Sequence, residues 1–386
     1  MKKVACLSLL ALFLIGAEPV RRPLPEVPAD LKAELVGHLK ANWQSPEDYI
    51  VSKFKNHDIV FVGEYHRIEH DVDLIQNLIP LLYKAGVHNL GIEFGCYEYQ
   101  DTVDYLLTAP TYDEALARWL MFKWMSNWGY VEYEDLYRAA WEFNRSLPPG
   151  APKFRVVNLN YRLRWDLDKE DTREERLRVF SKGDVDEHMA RVILDEFVHK
   201  GQKALVYSGN HHAFTRYRQP IYDEKTGKFY RFADPRIGNI VRDSMPDRVF
   251  CIMLHRPWAL KTDENTEIYP IGGVIDVVMR EFKDKRVGFD VVGSPFGKLS
   301  DTTSYYSAFH EGFKLSDYCD GYVFPRPFSE YEGCRVDTLF VTDANFQEAV
   351  DFLGNPQARK YFSNPKVFID SMREDADFRR RFAHLQ

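Results

Sequence analysis

Short apolar runs that end in a polar residue recur along this chain of 386 residues. Residues 59–62 read Ile-Val-Phe-Val, a β-branched and aromatic run that predicts a buried strand, and Gly63 and Glu64 follow it directly. Similar runs end at Glu93 and at Gly209. The polar residues after these runs therefore stand where predicted strands end.

Residues 69–84 carry apolar positions at helical spacing between the first two of these strands. A strand, a helix and a second strand in this order form a βαβ unit, in which the two strands are parallel. We therefore predict an α/β fold, with a mainly parallel central sheet flanked by helices.

The rest of the chain continues this alternation of helical and extended patterns. Predicted helices cover residues 29–39, 46–54, 184–200, 236–245 and 273–282, with two more near the end of the chain. Further predicted strands cover residues 154–158, 248–254, 287–292, 321–324 and 338–341. These elements extend the predicted α/β domain over residues 58–386.

Residues 97–147 form a helical pattern that is dense in aromatic side chains, among them Trp119, Trp124, Trp128 and Trp141. We interpret this segment as a helical insertion that forms a cap or a subdomain. Its aromatic residues either form the core of that subdomain or, in the alternative interpretation, provide an apolar wall over an active site.

Residues 1–17 are predicted to be a secretory signal rather than part of the fold. Lys2 and Lys3 precede an apolar run that ends in small residues at Ala17, the layout of a cleaved signal peptide. An uncleaved anchor is the alternative, although the run is too short to span a bilayer comfortably. We therefore expect an exported protein, periplasmic or extracellular, in which residues 18–57 form a proline-rich leader and N-terminal helices.

We expect the binding partner to be a small-molecule or peptide substrate. The formal net charge of −7 argues against nucleic-acid binding, and no later apolar run is long enough for an integral membrane domain. The cysteines after the signal are interpreted as structural thiols or as one bridge, for which Cys319 and Cys334 are the most local pair.

Carboxylates and imidazoles follow three separate predicted strands. Glu64 and His66 follow the first, Glu93 ends the second, and His212 follows the strand of residues 204–208. The carboxyl ends of parallel strands meet at one edge of an open α/β sheet, where such folds bind their ligands. We therefore expect these four side chains to share a site in which an activated water attacks an ester or amide carbonyl.

The same groups can bind a divalent metal. His70 lies four positions after His66, so the two imidazoles share a helix face if the helix has begun at His66. The predicted metal ligands are Glu64, His66, His70, Glu93 and His212. The structural alternatives are His70 as an exposed helix residue and Glu64 as a charge that faces the helix dipole.

Three further residues are candidates for binding the substrate or its oxyanion. Arg67 can bind a substrate carboxylate or stabilise negative charge, or it can pair instead with Glu69 or with an acid on the insertion. Asn158 and Asn160 follow a predicted strand and can donate hydrogen bonds to an oxyanion. In the alternative interpretation they serve a turn, a conformation that asparagine tolerates well.

The ordered set of motifs resembles the erythromycin esterase-like, ChaN-like and Tiki (TraB) superfamily over residues 58–214. The matching residues are Gly63-Glu64-Tyr65-His66, Glu93 and Gly209-Asn210-His211-His212. Residues 186–191 are similar to the Met-Ala helix of the esterase branch, while the insertion with Trp124 and Trp128 is similar to the ChaN branch.

The resemblance implies an α/β sheet with a helical subdomain, and each branch implies a different function. The esterase branch implies a hydrolytic site of Glu64, His66, Glu93 and His212. The Tiki branch is similar but uses a divalent metal to cleave peptides. The ChaN branch implies haem binding for iron uptake through a tyrosine ligand, for which Tyr217 is the counterpart here.

Two functional hypotheses follow from the sequence. The leading hypothesis is an exported hydrolase of an ester or amide, either metal-dependent or metal-free, in which His66 activates water. The alternative is a haem- or metal-binding uptake protein of the ChaN type without catalysis.

Overall fold

The structure is a computed structural model that describes residues 21–385. Its strands, in chain order, are β1 (Ile59–Glu64), β2 (Asn89–Cys96), β3 (Arg155–Asn160), β4 (Ala204–Gly209), β5 (Pro220–Asp223), β6 (Lys228–Phe232), β7 (Val249–Leu254), β8 (Trp258–Leu260), β9 (Asp263–Ile268), β10 (Val287–Asp290) and β11 (Gly321–Phe324). The predicted signal at residues 1–17 lies outside the described residues.

Seven of these strands form one sheet, in the order β10-β11-β7-β1-β4-β2-β3. β1 lies between β4 and β7 and is parallel to both, whereas β10 and β11 are antiparallel. All six residues of β1 are buried, as expected for a parallel strand that is covered on both faces. The predicted α/β fold with a mainly parallel sheet is confirmed.

Helices surround this sheet. In chain order they are α1 (Ala29–Asn42), α2 (Pro46–Lys53), α3 (Glu69–Lys84), α4 (Gln100–Thr108), α5 (Glu114–Trp124), α6 (Val131–Ser146), α7 (Arg173–Val179), α8 (Val185–Ile193), α9 (Ile237–Ser244), α10 (Val274–Glu281), α11 (Leu315–Tyr318), α12 (Phe346–Asp351), α13 (Pro365–Asp375) and α14 (Phe378–Arg381). No helix between residues 21 and 385 is long and apolar enough to cross a membrane.

Alternate residues of β1 enter two different cores. Val60 and Val62 pack into the core that contains α2, α3 and the helices α4 to α6. Ile59 and Phe61 pack into the opposite core, with α1, α8, α9 and α10. The alternation follows from strand geometry, because successive side chains point to opposite faces of a sheet. The polar residues that follow β1 are thus held between two packed layers.

The aromatic insertion is helical, as predicted, and consists of α4, α5 and α6. Trp124 and Trp128 are buried in the core on its side of the sheet, where their rings lie 5.0 Å apart. Phe94 of β2 stacks on Trp128 at 5.5 Å. Trp124 and Trp128 therefore join the core on this side of the sheet rather than a separate one.

Residues 338–341 do not form the predicted strand. They lie in an irregular turn, and their apolar character comes from burial of Phe340 and Val341 in the core. A side chain at Gly129 would overlap the Phe340 ring, so the turn packs directly on the insertion. A short apolar run can be buried without being extended, and its composition does not distinguish the two cases.

The four cysteines of the described chain are buried free thiols, namely Cys96, Cys251, Cys319 and Cys334. The predicted alternative of one bridge is therefore wrong, and the interpretation as structural thiols is confirmed. Burial raises the pKa of each thiol well above its usual value.

Gly288 makes room for the buried ring of Tyr49, whose hydroxyl donates to Asp290 at 2.9 Å. We expect Gly288→Ala to lower the free energy of unfolding by about 1–3 kcal/mol, because the methyl group would overlap that ring. Gly37→Ala is the matched control, since no atom lies within 4 Å of its new methyl group. In α1 that change should be neutral or stabilising. Equal unfolding temperatures for the two variants would contradict this account.

Candidate active site

Glu64 ends β1 with its carboxylate fully buried. The hydroxyl of Tyr133 donates to its Oε1 at 2.6 Å, and the hydroxyl of Tyr207 donates to its Oε2. Burial and the charge of Glu64 raise the pKa of both tyrosines well above the usual value, so both stay protonated donors. The carboxylate thus keeps hydrogen bonds that replace its lost hydration.

His66 provides a third donor to the same carboxylate. Its Nδ1 lies 2.7 Å from Oε1 of Glu64. Because a carboxylate only accepts, Nδ1 carries the hydrogen, and the neutral ring then has a lone pair on Nε2. The side chain is 35% exposed, and its ring meets Trp128 edge-on at 5.0 Å. Glu64 thus fixes the orientation of the His66 ring, while the side chain remains partly exposed.

Gly209, at the end of β4, brings the strand ends together. A Cβ at this position would lie 2.8 Å from Nε2 of His66 and 3.4 Å from Oε2 of Glu93. The backbone N–H of Gly209 also donates to Oε2 of Glu93 at 2.7 Å. A glycine is required here because any side chain would occupy the space in front of the imidazole.

His212 lies between two carboxylates. Its Nε2 is 3.3 Å from Oε1 of Glu93, and its Nδ1 is 2.6 Å from Oδ1 of Asp186. Burial alone would lower the pKa of His212, but the two carboxylates raise it to about 9. The ring is therefore an imidazolium at neutral pH. The four residues predicted from the sequence to share a site do lie together.

Asp186 and Arg236 complete this group and were not predicted as site residues. The backbone N–H of Ile237 and Nη1 of Arg236 both donate to Asp186 at 3.0 Å. Burial would raise the pKa of Asp186, but His212 and Arg236 lower it, so the carboxylate stays charged. Asp186 does stand in the stretch that resembles the Met-Ala helix, which is the signal that could have identified it.

His70 does not join the site. Arg67 has a left-handed backbone with φ of 71°, and α3 begins only at Glu69, so His66 and His70 do not share a helix. The His70 ring packs on Tyr331 at 4.6 Å, and burial lowers its pKa to about 3. The alternative of an exposed helix residue is also wrong, since the side chain is buried.

The predicted metal ligands do not fit a divalent ion. Both ring nitrogens of His212 already face carboxylates, and His70 packs on Tyr331 away from the other predicted ligands. Within residues 21–385, no group of three or more His, Cys, Asp or Glu side chains is arranged to hold a metal.

The predicted substrate-binding side chains make contacts within the fold instead. They are those of Arg67, Asn158 and Asn160. The guanidinium of Arg67 lies over the rings of Trp128 and Tyr130, 4.5 and 5.5 Å from their centroids. The side-chain oxygen of Asn158 accepts the Tyr137 hydroxyl at 2.8 Å. The side-chain oxygen of Asn160 accepts the N–H of the next residue, also at 2.8 Å. Both asparagines are buried.

Tyr217 is enclosed and does not present its oxygen to a ligand. Its hydroxyl donates to the backbone carbonyl of Tyr306 at 2.9 Å, and its ring packs against Phe214, His310 and Tyr318. Burial raises its pKa well above the usual value, which disfavours the tyrosinate that ligates iron.

Comparison with known proteins identifies a shared fold but no family. No family model and no curated protein matches the chain. A succinoglycan biosynthesis protein is 10% identical, with a TM-score of 0.50 over 78% of this chain and 98% of that one. A protein from Bacillus cereus, also 10% identical, has a TM-score of 0.45 over 76% and 98% of the two chains.

ChaN of Campylobacter jejuni, described with cofacially bound haem, is a more distant match. It is 15% identical and has a TM-score of 0.36 over 57% of this chain and 90% of that one. At such low identities a likeness shows the fold alone. The α/β fold is thus shared with the succinoglycan biosynthesis protein, and the function has to be argued from the site.

The charge of His212 can be measured directly. We expect its imidazole to titrate near pH 9 in NMR spectra, and at a lower pH in Asp186→Asn, which keeps the shape but removes one of the two negative charges. Because the folded-state pKa is raised, the stability it contributes is full below about pH 6.5 and is lost as pH rises through about 9. Asp195→Asn is the control, because Asp195 pairs with the exposed His199, and it should leave the pKa of His212 unchanged.

Proposed function

We propose that this protein is a hydrolase of ester or amide substrates in which His66 is the general base. One observation carries the proposal: Nδ1 of His66 is held by the buried Glu64 carboxylate, while Nε2 faces the space before Gly209 and Glu93. A carboxylate that fixes the tautomer and orientation of an imidazole is the arrangement that general-base catalysis requires.

The reaction proceeds in two proton transfers through one imidazole. Nε2 of His66 takes a proton from water as the water oxygen attacks the carbonyl carbon, which forms a tetrahedral intermediate. The imidazolium then returns that proton to the leaving oxygen or nitrogen as the carbon bond to it breaks. Glu64 stabilises the positive charge on His66 between the two steps without taking the proton itself.

The imidazolium of His212 contacts Glu93, the carboxylate that faces the same space. A positive charge beside that carboxylate offsets part of its repulsion of the developing oxyanion. Glu93 of β2 contacts Nε2 of this ring, and Asp186 of α8 contacts Nδ1. These two carboxylates are positioning residues that keep His212 charged and oriented.

Trp128 and Phe94 support the His66 ring, because both are buried and contact it edge-on, at 5.0 and 5.7 Å. No step passes through a metal, since the donors do not fit one. Haem binding through Tyr217 is disfavoured because that side chain is enclosed. Export of the protein is part of the proposal and rests on residues 1–17.

The first test removes the proposed general base, the imidazole of His66. We expect His66→Gln to lower kcat/KM for para-nitrophenyl esters by about 100-fold or more, because Nε2 no longer accepts the proton. The fold should persist, since the His66 side chain is 35% exposed. His199→Gln, at an exposed histidine, is the matched control and should retain activity. Wild-type turnover in a folded His66→Gln variant would refute the assignment.

The second test is the pH profile. After correction for spontaneous hydrolysis, kcat/KM should fall as pH rises through about 9, because His212 then loses its proton. In Asp186→Asn the fall should begin at lower pH, since one of the carboxylates that raise this pKa has lost its charge. A profile with the same alkaline limb in both proteins would show that His212 does not act through its charge.

A further inference from the structure

Arg256 is a buried cation beside the candidate site that no step above uses. It follows β7, and β7 pairs with β1, so it lies at the sheet edge that carries Glu64. The residue is 5% exposed. Its guanidinium lies over the rings of Tyr65 and Tyr306, 5.1 and 5.5 Å from their centroids. Tyr65 is the residue between Glu64 and His66 in the chain.

The guanidinium forms no ion pair with the part of the chain that the structure describes. Its Nε donates to the backbone carbonyl oxygen of Pro257 at 3.1 Å, and its Nη2 donates to the hydroxyl oxygen of Tyr306 at 2.8 Å. Nη1 makes no hydrogen bond to residues 21–385 and is not among their fully enclosed unpartnered atoms. One donor nitrogen of this buried cation is therefore without a partner in that part of the chain.

A buried charge without a counter-ion is costly, and the surroundings of Arg256 offset only part of that cost. Two aromatic faces stabilise the cation, and two oxygens accept its hydrogens. Neither arrangement neutralises the charge. An anion bound at Nη1 would do so, and unpaired buried charges at the rim of a site commonly have such a use.

Tyr306 fixes Arg256 to the loop that follows β4. Its hydroxyl oxygen lies 3.3 Å from Nδ2 of Asn210 and 3.0 Å from Nε2 of His211. The backbone N–H of Asn210 in turn donates to the carbonyl oxygen of Glu64 at 3.0 Å. The position of the guanidinium is thus set by groups anchored at the ends of β1 and β4, the same strand ends that form the site.

We propose that Arg256 binds an anionic oxygen group of the substrate, a carboxylate or a phosphate, and so selects acidic esters or amides. The inference rests on the hydrolase function proposed above. Guanidinium is suited to the role because its planar N–H groups match the oxygens of carboxylates and phosphates. Arg67, the residue that the sequence suggested for it, is held against Trp128 and Tyr130 instead.

Kinetics with two matched esters test the selection. Mono-para-nitrophenyl succinate carries a carboxylate at the end of its acyl chain, whereas para-nitrophenyl pentanoate is neutral. We expect the wild type to prefer the acidic ester, and Arg256→Gln to lower the ratio of the two kcat/KM values by about 10- to 100-fold, mainly through KM. An unchanged ratio in a variant that still hydrolyses both esters would overturn the inference.

Calorimetric binding of succinate and of inorganic phosphate tests the same site without turnover. Binding of either anion that is lost in Arg256→Gln supports the subsite even if no ester is hydrolysed, in which case the hydrolase proposal alone fails. The anion that binds also distinguishes carboxylate from phosphate recognition. No binding of either anion to the wild-type protein would overturn the subsite.

Two further variants control for an effect of Arg256→Gln on folding rather than on binding. Arg145→Gln removes the same charge from an exposed position and should leave both the ester ratio and anion binding unchanged. Arg256→Lys keeps the charge but loses the planar pair of donors, so a smaller drop in the ratio is expected. If Arg256→Gln does not fold, a wild-type ratio in folded Arg256→Lys and in Tyr306→Phe would overturn the inference.

Discussion

Everything at the site depends on one buried carboxylate, that of Glu64. A charge at this depth is tolerated only when donors replace water. The donors are Tyr133 of the insertion, Tyr207 of β4 and His66 just after β1. One electrostatic requirement therefore fixes three elements relative to the central strand. Asp71 lies nearby, and burial together with Glu64 raises its pKa well above the usual value. The shift disfavours a second negative charge beside Glu64.

The two imidazoles of the site differ because their carboxylate partners differ in number. His66 has one carboxylate partner, Glu64, and keeps Nε2 free of hydrogen bonds within residues 21–385, whereas His212 lies between Glu93 and Asp186 and holds its proton. A base and a fixed positive charge thus come from the same residue type on neighbouring strand ends. This difference between the two histidines requires no unusual backbone conformation at either ring. It requires only that β2 and α8 place their carboxylates beside His212.

Local pattern and strand topology together allowed much of this to be predicted from the sequence. Glu64, His66, Glu93 and His212 each follow an apolar run, and parallel pairing brings the ends of such runs together. Asp186 could not be predicted in this way, because it reaches the site from a helix whose orientation depends on packing against the sheet. The prediction for His70 assumed that α3 begins early, whereas the left-handed turn at residue 67 delays it. The strand prediction for residues 338–341 failed because these residues are apolar since they are buried, not because they form a strand.

The enclosed thiols make the chain sensitive to oxidation at one stage only. In the finished molecule Cys96, Cys251, Cys319 and Cys334 are buried with raised pKa values, so thiolate, the reactive species, is scarce and shielded. In the unfolded chain these thiols are exposed, and any two of them can form a disulfide in an oxidising compartment, which the proposed export would supply. Folding that buries the thiols before they pair would then protect them without any native disulfide.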